Sequence, residues 1–147
     1  MVEKDQENEK MKIGVVAHVL NEKSGSRAPI DLAKALALQG NDVVFYGVEK
    51  DKDEQTERDL ESRRVKISLI NFDSSPVVGR IITAFRLRRQ LQNDKPDILS
   101  LHCTLPFFLG CKLSGIPIVY SYHGAQFNVL HEKFSPGSPF MILLFPF

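Results

Sequence analysis

Three histidines end apolar segments of this sequence, and each could form hydrogen bonds or transfer a proton. His18 closes KIGVVAH, His102 closes ILSLH, and His123 stands in IVYSYHGA directly before Gly124. Imidazole titrates near neutral pH and can donate or accept a hydrogen bond. Glycine at position 124 permits a sharp turn and removes a side chain from the approach to His123. Such a strand end is typical of the rim of a ligand crevice, and a structural role in an apolar setting is the alternative for His18 and His102.

A second candidate is the loop Ser24-Gly25-Ser26, which precedes a predicted helix. A helix N-terminus presents free N–H groups and roughly half a positive charge. Glycine lets a phosphate or a hydroxyl approach those groups closely. Arg27 adds a cation that either clamps an anion or lies on the surface. The loop is neither a Walker motif nor Gly-x-Gly-x-x-Gly, and an ordinary loop with a serine cap is the alternative.

The cysteines and histidines do not follow a metal-binding pattern. Cys103 and Cys111 lie in or beside apolar segments without Cys-x-x-Cys spacing. They are therefore predicted to be reduced core residues of a cytoplasmic protein. Zinc bound by the three histidines has no spacing motif to support it. The sequence predicts neither a metal nor a cofactor.

These candidates need a sheet to position them. Apolar runs predict strands at 12–18, 43–47, 65–70, 98–102 and from 118 onward, and helical periodicity predicts helices at 27–39, 78–92 and about 105–114. Strands that are apolar throughout are covered on both faces, which predicts an α/β fold, a Rossmann-like open parallel sheet with helices on both faces. Ligands bind such sheets outside the carboxyl ends of the strands. The histidines and the loop around Gly25 are predicted to lie at that edge.

Two charged segments are interpreted as solvated surface. The helix at 78–92 is predicted to turn Ile81, Ile82, Phe85 and Leu91 inward and four arginines outward, namely Arg80, Arg86, Arg88 and Arg89. Peripheral contact of those arginines with an anionic membrane or an acidic partner is the alternative. The stretch 49–64 is predicted to be a solvated excursion that is helical in part.

Length and charge limit the domain organisation and the partners. The 147 residues suit one domain, predicted at 12–128 between a disordered leader at 1–11 and an incomplete continuation at 129–147. Nineteen Lys and Arg face eighteen Asp and Glu, so the net charge does not predict nucleic-acid binding. The leader lacks the apolar segment of a signal peptide, and no apolar run reaches the roughly 18 residues of a membrane span.

Several segments resemble the amino-terminal domain of family 4-like, GT-B-fold glycosyltransferases. LAKAL at 32–36 and GNDV at 40–43 take the places of the family's Leu-Ala-x-x-Leu and Gly-His-x-Val. KPDILSLHCTLP resembles its Pro-Asp-Ile-x-His-x-His segment, and GIPIVYSYHGA resembles its Pro-x-Val-x-Thr-x-His-Gly/Asp strand. The resemblance runs from about Met11 to Asn128. Departures include Asn41 and Ser100 where the family has histidine, and a glycine pair reduced to Gly25.

The resemblance implies the acceptor-side half of a nucleotide-sugar-dependent hexosyltransferase. His123 would be the catalytic group, hydrogen-bonding near the reacting sugar or the donor diphosphate. The implied substrate-binding residues are Gly25, Ser26, Arg27, His102 and Gly124. The implied partners are a nucleotide-sugar donor, a sugar or lipid-linked acceptor, and a missing or separately encoded C-terminal domain without which the chain is expected to be inactive. A non-catalytic, flavodoxin-like binding or interaction domain is the alternative.

Overall fold

The computed structural model describes residues 10–22, 26–50, 52–71, 75, 78–102 and 105–121. Strands and helices alternate along these residues. They are β1 (Lys12–Val19), α1 (Arg27–Leu38), β2 (Asp42–Val48), α2 (Glu54–Ser62), β3 (Lys66–Ile70), α3 (Val78–Asp94), β4 (Ile98–His102), α4 (Leu105–Ser114) and β5 (Ile118–Tyr120). None of the helices in these ranges combines the length and the apolarity needed to cross a membrane.

The five strands form one parallel sheet in the order β3-β2-β1-β4-β5. Ile13 of β1 pairs with Val43 of β2 on one side and with Ile98 of β4 on the other. The strand order reverses between β1 and β4. Their junction is therefore the topological switch point of this Rossmann-like sheet. The predicted fold class is confirmed. Flavodoxin-like sheets begin 2-1-3 instead, so that part of the alternative prediction is wrong.

Alternation along β2 divides the core between the two faces of the sheet. Successive side chains of a strand point to opposite faces. Val43 and Phe45 pack with buried residues of α1 and α2. Val44 and Tyr46 pack on the other face with buried residues of α3 and α4. The helices therefore cover both faces of the central strands, and β1 and β2 are apolar over 13–17 and 43–48 because these residues are buried on both faces.

The stretch at 49–64 is helical over Glu54–Ser62. Asp53 caps this helix, since its carboxylate accepts hydrogen bonds from the backbone nitrogen of Thr56 at 3.0 Å and from the Thr56 hydroxyl at 2.6 Å. Leu60 is fully buried against the sheet. Leu60 thus holds this otherwise charged helix against the sheet, and Asp53 caps its N-terminus. The prediction that the stretch is helical in part is confirmed.

The inward face of α3 was predicted wrongly in part: Leu91 is buried as predicted and Ile82 is half-buried, but Ile81 and Phe85 do not point inward. Ile81 and Phe85 are 47% and 52% exposed, whereas Ala84 and Leu87 are buried. A Cβ atom on Gly110 of α4 would lie 2.7 Å from the carbonyl oxygen of Ala84 and 3.2 Å from the Cβ of Leu87. Glycine at position 110 therefore lets α4 pack closely against Ala84 and Leu87. α4 thus covers the face of α3 that carries Ala84 and Leu87, and Ile81 and Phe85 lie on the outer surface.

Candidate functional site

The carboxyl ends of β1 and β4 form the candidate site, because they meet at the switch point of the sheet. Ala17 of β1 and His102 of β4 are register partners. His18 follows Ala17 directly, so two imidazoles lie on neighbouring strand ends. The parallel register places them at the same edge, where the predicted crevice should open.

His18 lies on the face of the sheet that α3 and α4 cover. Its ring packs edge-on against Phe107 of α4, with ring centroids 5.8 Å apart and planes at 86°. More than a third of the residue's surface stays exposed, yet its neighbours remove enough water for desolvation to lower the pKa of His18. At neutral pH the side chain is therefore an uncharged imidazole, which can both donate and accept a hydrogen bond.

His102 lies on the opposite face, because its neighbour Leu101 belongs to the core beneath α3 and α4. Its Nε2 atom is 2.9 Å from the hydroxyl oxygen of Ser100, two residues earlier on the same face. The direction of this hydrogen bond sets the tautomer. If the serine hydroxyl donates, the proton of a neutral ring is on Nδ1. Ser100 therefore orients the imidazole at the strand end.

The two histidines reach the same edge from opposite faces of the sheet and do not converge. In the part of the chain that the structure describes, no three His, Cys, Asp or Glu side chains are placed to hold a metal ion. Cys111 is buried and unpaired in α4, as predicted, and burial raises its pKa to about 12. Its thiol therefore stays protonated and inert. Cys103 lies outside the described residues.

The start of α1 supplies two of the predicted substrate-binding residues. Ser26 is buried at the N-cap, where its carbonyl oxygen accepts from the nitrogen of Ile30 at 3.1 Å. Its side chain forms no capping hydrogen bond. Arg27 lies on the outer surface, and its Nε is 3.6 Å from a carboxylate oxygen of Asp31. An exposed pair one turn apart is weak, so it restrains the guanidinium little.

Lys34 of α1 forms ion pairs with Glu22, which follows β1, and with α2. Its Nζ lies 2.5 Å from a carboxylate oxygen of Glu22 and 2.6 Å from one of Asp59 in α2. Burial alone would lower the pKa of Lys34, but hydrogen bonds to Asp59 and Glu22 raise it above its usual value. The hydrogen bond from Lys34 lowers the pKa of Asp59 in turn. The ammonium group thus joins α1, α2 and Glu22.

The remaining predicted site residues, Gly25, His123 and Gly124, lie outside the described residues. The structure therefore places Ser26, Arg27 and His102 and leaves the proposed catalytic position as a prediction. It adds Ser100 and Phe107, whose roles the sequence analysis missed. Strand alternation could have paired Ser100 with His102. No local sequence pattern predicts the contact of Phe107 with His18, because the two residues belong to elements that are far apart in the chain.

Comparison with known proteins adds a family match and several structural neighbours. Residues 26–145 match the sequence profile of Glycosyltransferase Family 4. A glycosyltransferase from Rickettsia africae is 15% identical with a TM-score of 0.59, covering 86% of this chain and 34% of that one. MurG from Acinetobacter baumannii is 18% identical with a TM-score of 0.58, covering 75% and 34%. The C-terminal domain of a hydrogenase from Pyrococcus furiosus is 19% identical with a TM-score of 0.52, covering 78% and 94%.

Because the sequence identities to these solved structures are below 20%, their similarity to this chain shows the fold alone. The chain spans about a third of the length of the two glycosyltransferases. No curated protein sequence matches it. Since the hydrogenase domain shares the fold, the fold does not distinguish sugar transfer from other functions. The family match carries that distinction.

Proposed function

Because the chain belongs to Glycosyltransferase Family 4, we propose that it forms the acceptor-side α/β domain of a nucleotide-sugar-dependent hexosyltransferase. The acceptor is a sugar or a lipid-linked acceptor. We assign the nucleotide-sugar donor mainly to a second domain, since this chain spans only about a third of the length of the glycosyltransferases compared above. The 147-residue chain by itself is expected not to transfer sugar, because the groups that support the leaving diphosphate belong to that second domain.

The observation that carries this proposal is the switch point, where His18 and His102 end neighbouring strands. Sugar hydroxyls need partners that can both donate and accept. Neutral imidazole offers both, and the lowered pKa keeps His18 in that form. Ser100 holds the ring of His102 in one orientation. We propose that the two rings bind acceptor hydroxyls on either side of the sheet edge.

The other predicted residues keep proposed roles. His123 is the proposed catalytic group beside the reacting sugar or the donor diphosphate, and Gly124 permits the turn next to it. Gly25 and Ser26 would let a phosphate or hydroxyl approach the N-terminus of α1. Arg27 would move from Asp31 to an anionic ligand, which costs little because the pair is exposed.

The test is NMR spectroscopy of the labelled 147-residue chain during titration with hexoses and with uridine-diphosphate hexoses. We expect saturable shifts of the His18 and His102 ring signals with an acceptor hexose, and no turnover of any nucleotide sugar. Phe107→Leu should change the response of His18, and Ser100→Ala that of His102. The control His131→Ala removes an imidazole that the predicted site does not include, and should leave both responses unchanged.

Two results would contradict the proposal. Turnover of a nucleotide sugar by the purified chain would show that no second domain is needed. A folded chain whose His18 and His102 signals ignore every sugar in the panel would place the acceptor elsewhere. Saturable sugar binding together with lost transfer in the complete enzyme after His123→Ala is the expected pattern.

A cleft position for His123 has a separate consequence for stability. His123→Ala should leave the melting temperature nearly unchanged, because a side chain at the rim contributes little packing. Differential scanning calorimetry against His131→Ala provides the comparison. A clear drop specific to His123→Ala would indicate a packed histidine and remove it from the proposed catalytic role.

A further inference from the structure

A second cleft lies away from the two histidines, between the edge strand β3 and α3. It has a volume of about 260 Å³, and it is lined by Leu69, Ile70, Asn71, Arg86, Arg89, Gln90 and Asn93. The lining residues of α3 recur at three- and four-residue spacing, so they form one face of the helix. The end of β3 supplies the opposite wall. The cleft therefore lies beside the carboxyl end of β3.

The lining chemistry favours an anion. Two arginines, two asparagines and one glutamine line the cleft, and no acidic residue is among the lining residues. The side-chain nitrogen of Gln90 donates a 3.2 Å hydrogen bond to a carboxylate oxygen of Asp94, which does not line the cleft. In the described part of the chain, neither Arg86 nor Arg89 takes part in an ion pair. Guanidinium groups bind phosphate oxygens through two parallel hydrogen bonds. Two of them together match a group that carries more than one charged oxygen.

Arg86 is already oriented at the mouth of the cleft. Its Nη1 donates a 2.9 Å hydrogen bond to the carbonyl oxygen of Asn71, the residue after β3. One donor of five is used in this contact. A side chain that is held in place loses less conformational entropy on binding. Arg89, one turn of α3 nearer to its C-terminus, supplies the second cation.

Size and position separate this cleft from the acceptor site. A volume of about 260 Å³ is below the roughly 300–1,000 Å³ of pockets that enclose drug-sized ligands. It suits a phosphate group with a short stem rather than a nucleotide sugar. β3 is two strand positions from β1 in the sheet, which corresponds to about 10 Å at ordinary strand spacing.

We propose that the cleft between β3 and α3 is a phosphate-binding site in which Arg86 and Arg89 hold the anion. This inference does not rest on the proposed function. The phosphate belongs either to a small soluble molecule or to a lipid headgroup. The second source is suggested by Val78, Ile81 and Phe85, which are 62%, 47% and 52% exposed on α3. Phe85 precedes Arg89 by one turn on the same side of the helix.

The experiment measures binding of two probes to the 147-residue chain at constant ionic strength. The soluble probe is glycerol 3-phosphate, with glycerol as its control. The lipid probe is a phosphatidylcholine vesicle that contains phosphatidylglycerol, with a pure phosphatidylcholine vesicle as its control. NMR shifts of the amides of Asn71, Gln90 and Asn93 report whether the cleft is occupied.

Arg89→Gln is the main variant, because Arg89 makes no hydrogen bond within the described residues whose loss would disturb the fold. It should weaken binding of the active probe about tenfold, the effect of one charge-assisted contact. Arg89→Lys should weaken it in part, since lysine keeps the charge without the fork. Arg80→Gln is the matched control, because Arg80 is an exposed arginine of the same helix that does not line the cleft. The Arg80→Gln variant should bind the active probe as tightly as the wild type does.

Saturable binding of glycerol 3-phosphate that needs Arg89 identifies a soluble ligand. Binding of the anionic vesicle alone, weakened by both Arg89→Gln and Phe85→Ala, identifies a lipid headgroup. Three results would overturn the proposal: no binding of either probe, equal losses for Arg80→Gln and Arg89→Gln, or binding to pure phosphatidylcholine that ignores both arginines. Sugar-induced shifts at His18 and His102 are independent of all these outcomes.

Discussion

The two helical layers of this sheet are joined by different interactions. In the layer of α1 and α2, Lys34 bridges Glu22 and Asp59 through its ammonium group. In the layer of α3 and α4, Gly110 lets the helices approach until its missing side chain would touch the backbone of Ala84. The first layer depends on charge and therefore on pH, and the second depends on volume. Substitutions at Lys34 and Gly110 should show which layer's contribution to the free energy of unfolding depends on charge and which depends on side-chain volume.

The largest effect is expected where volume is added between α3 and α4. Gly110→Val places a branched side chain against the carbonyl oxygen of Ala84, which is 2.7 Å from the point that a Cβ atom of residue 110 would occupy. Because backbone cannot yield as a side-chain tip does, we expect a loss of about 3 kcal/mol in the free energy of unfolding. Urea denaturation followed by circular dichroism measures it.

Leu109→Ala is the control on the same helix. Leu109 is 42% exposed, so its truncation should cost less than about 1 kcal/mol. Gly110→Ala should fall between the two, because alanine favours the helix by about 1 kcal/mol while its methyl group still meets the carbonyl. Equal stability of Gly110→Val and wild type would show that α4 moves freely over α3.

A smaller effect is expected from the charged layer. Lys34→Met keeps the apolar stem and removes the bridge between α1 and α2. The free energy of unfolding should fall by about 1 kcal/mol at neutral pH. Lys66→Met is the control, because Lys66 pairs with Asp42 in a more exposed position and should contribute less.

Acid should erase the difference between wild type and Lys34→Met. The pKa of Asp59 in the folded state is lowered below its ordinary value of 3.8. Its contribution is therefore complete above pH 3.8 and is lost as the pH falls through the folded pKa. Denaturation curves at several pH values should converge for the two proteins in acid. A difference that stays constant down to acid pH would mean that the stem of Lys34, not its charge, joins the helices.

The same contrast explains which features the sequence predicted. The central strands were predictable because burial on both faces makes their runs apolar, as in the segment around Val15. The partial helix after β2 was predictable from Leu60 within charged neighbours. The inward face of α3 was not, because Ile81 and Phe85 fit the helical period as well as Leu87 does. Only the approach of α4 at Gly110 decides between the two faces, and that contact is not local in sequence.

The candidate site divides in a similar way. That His18 and His102 end strands could be predicted from the apolar runs before them. Their positions on opposite faces depend on which residues of each strand point to which face. A register shift of one residue would exchange the two faces. The edge-on contact of His18 with Phe107 needs the switch point between β1 and β4, because only that strand order brings the start of α4 beside β1.

A still smaller effect on the free energy of unfolding is expected at Arg88 of α3. The Nε atom of Arg88 is buried and has no hydrogen-bond partner within the described ranges. An unpaired buried donor is unfavourable, so Arg88→Met should raise the free energy of unfolding by about 0.5 kcal/mol. Arg80→Met, at an exposed position of the same helix, should change it less. A clear loss of stability in Arg88→Met would show that the guanidinium group holds a partner in solution.

The smallest effect concerns His18, where the volume-dependent layer meets the site. Its folded-state pKa is lowered below 6.5 by desolvation, so the unfolded chain binds the proton more readily. Stability should therefore be complete above pH 6.5 and decrease as the pH falls through the folded pKa. NMR titration of the ring should give a midpoint below 6.5, and Phe107→Leu should move it upward by admitting water. His18→Gln should remove this part of the pH dependence. A wild-type midpoint at or above 6.5 would mean that the ring is solvated, and Phe107 would then no longer explain why the imidazole stays neutral.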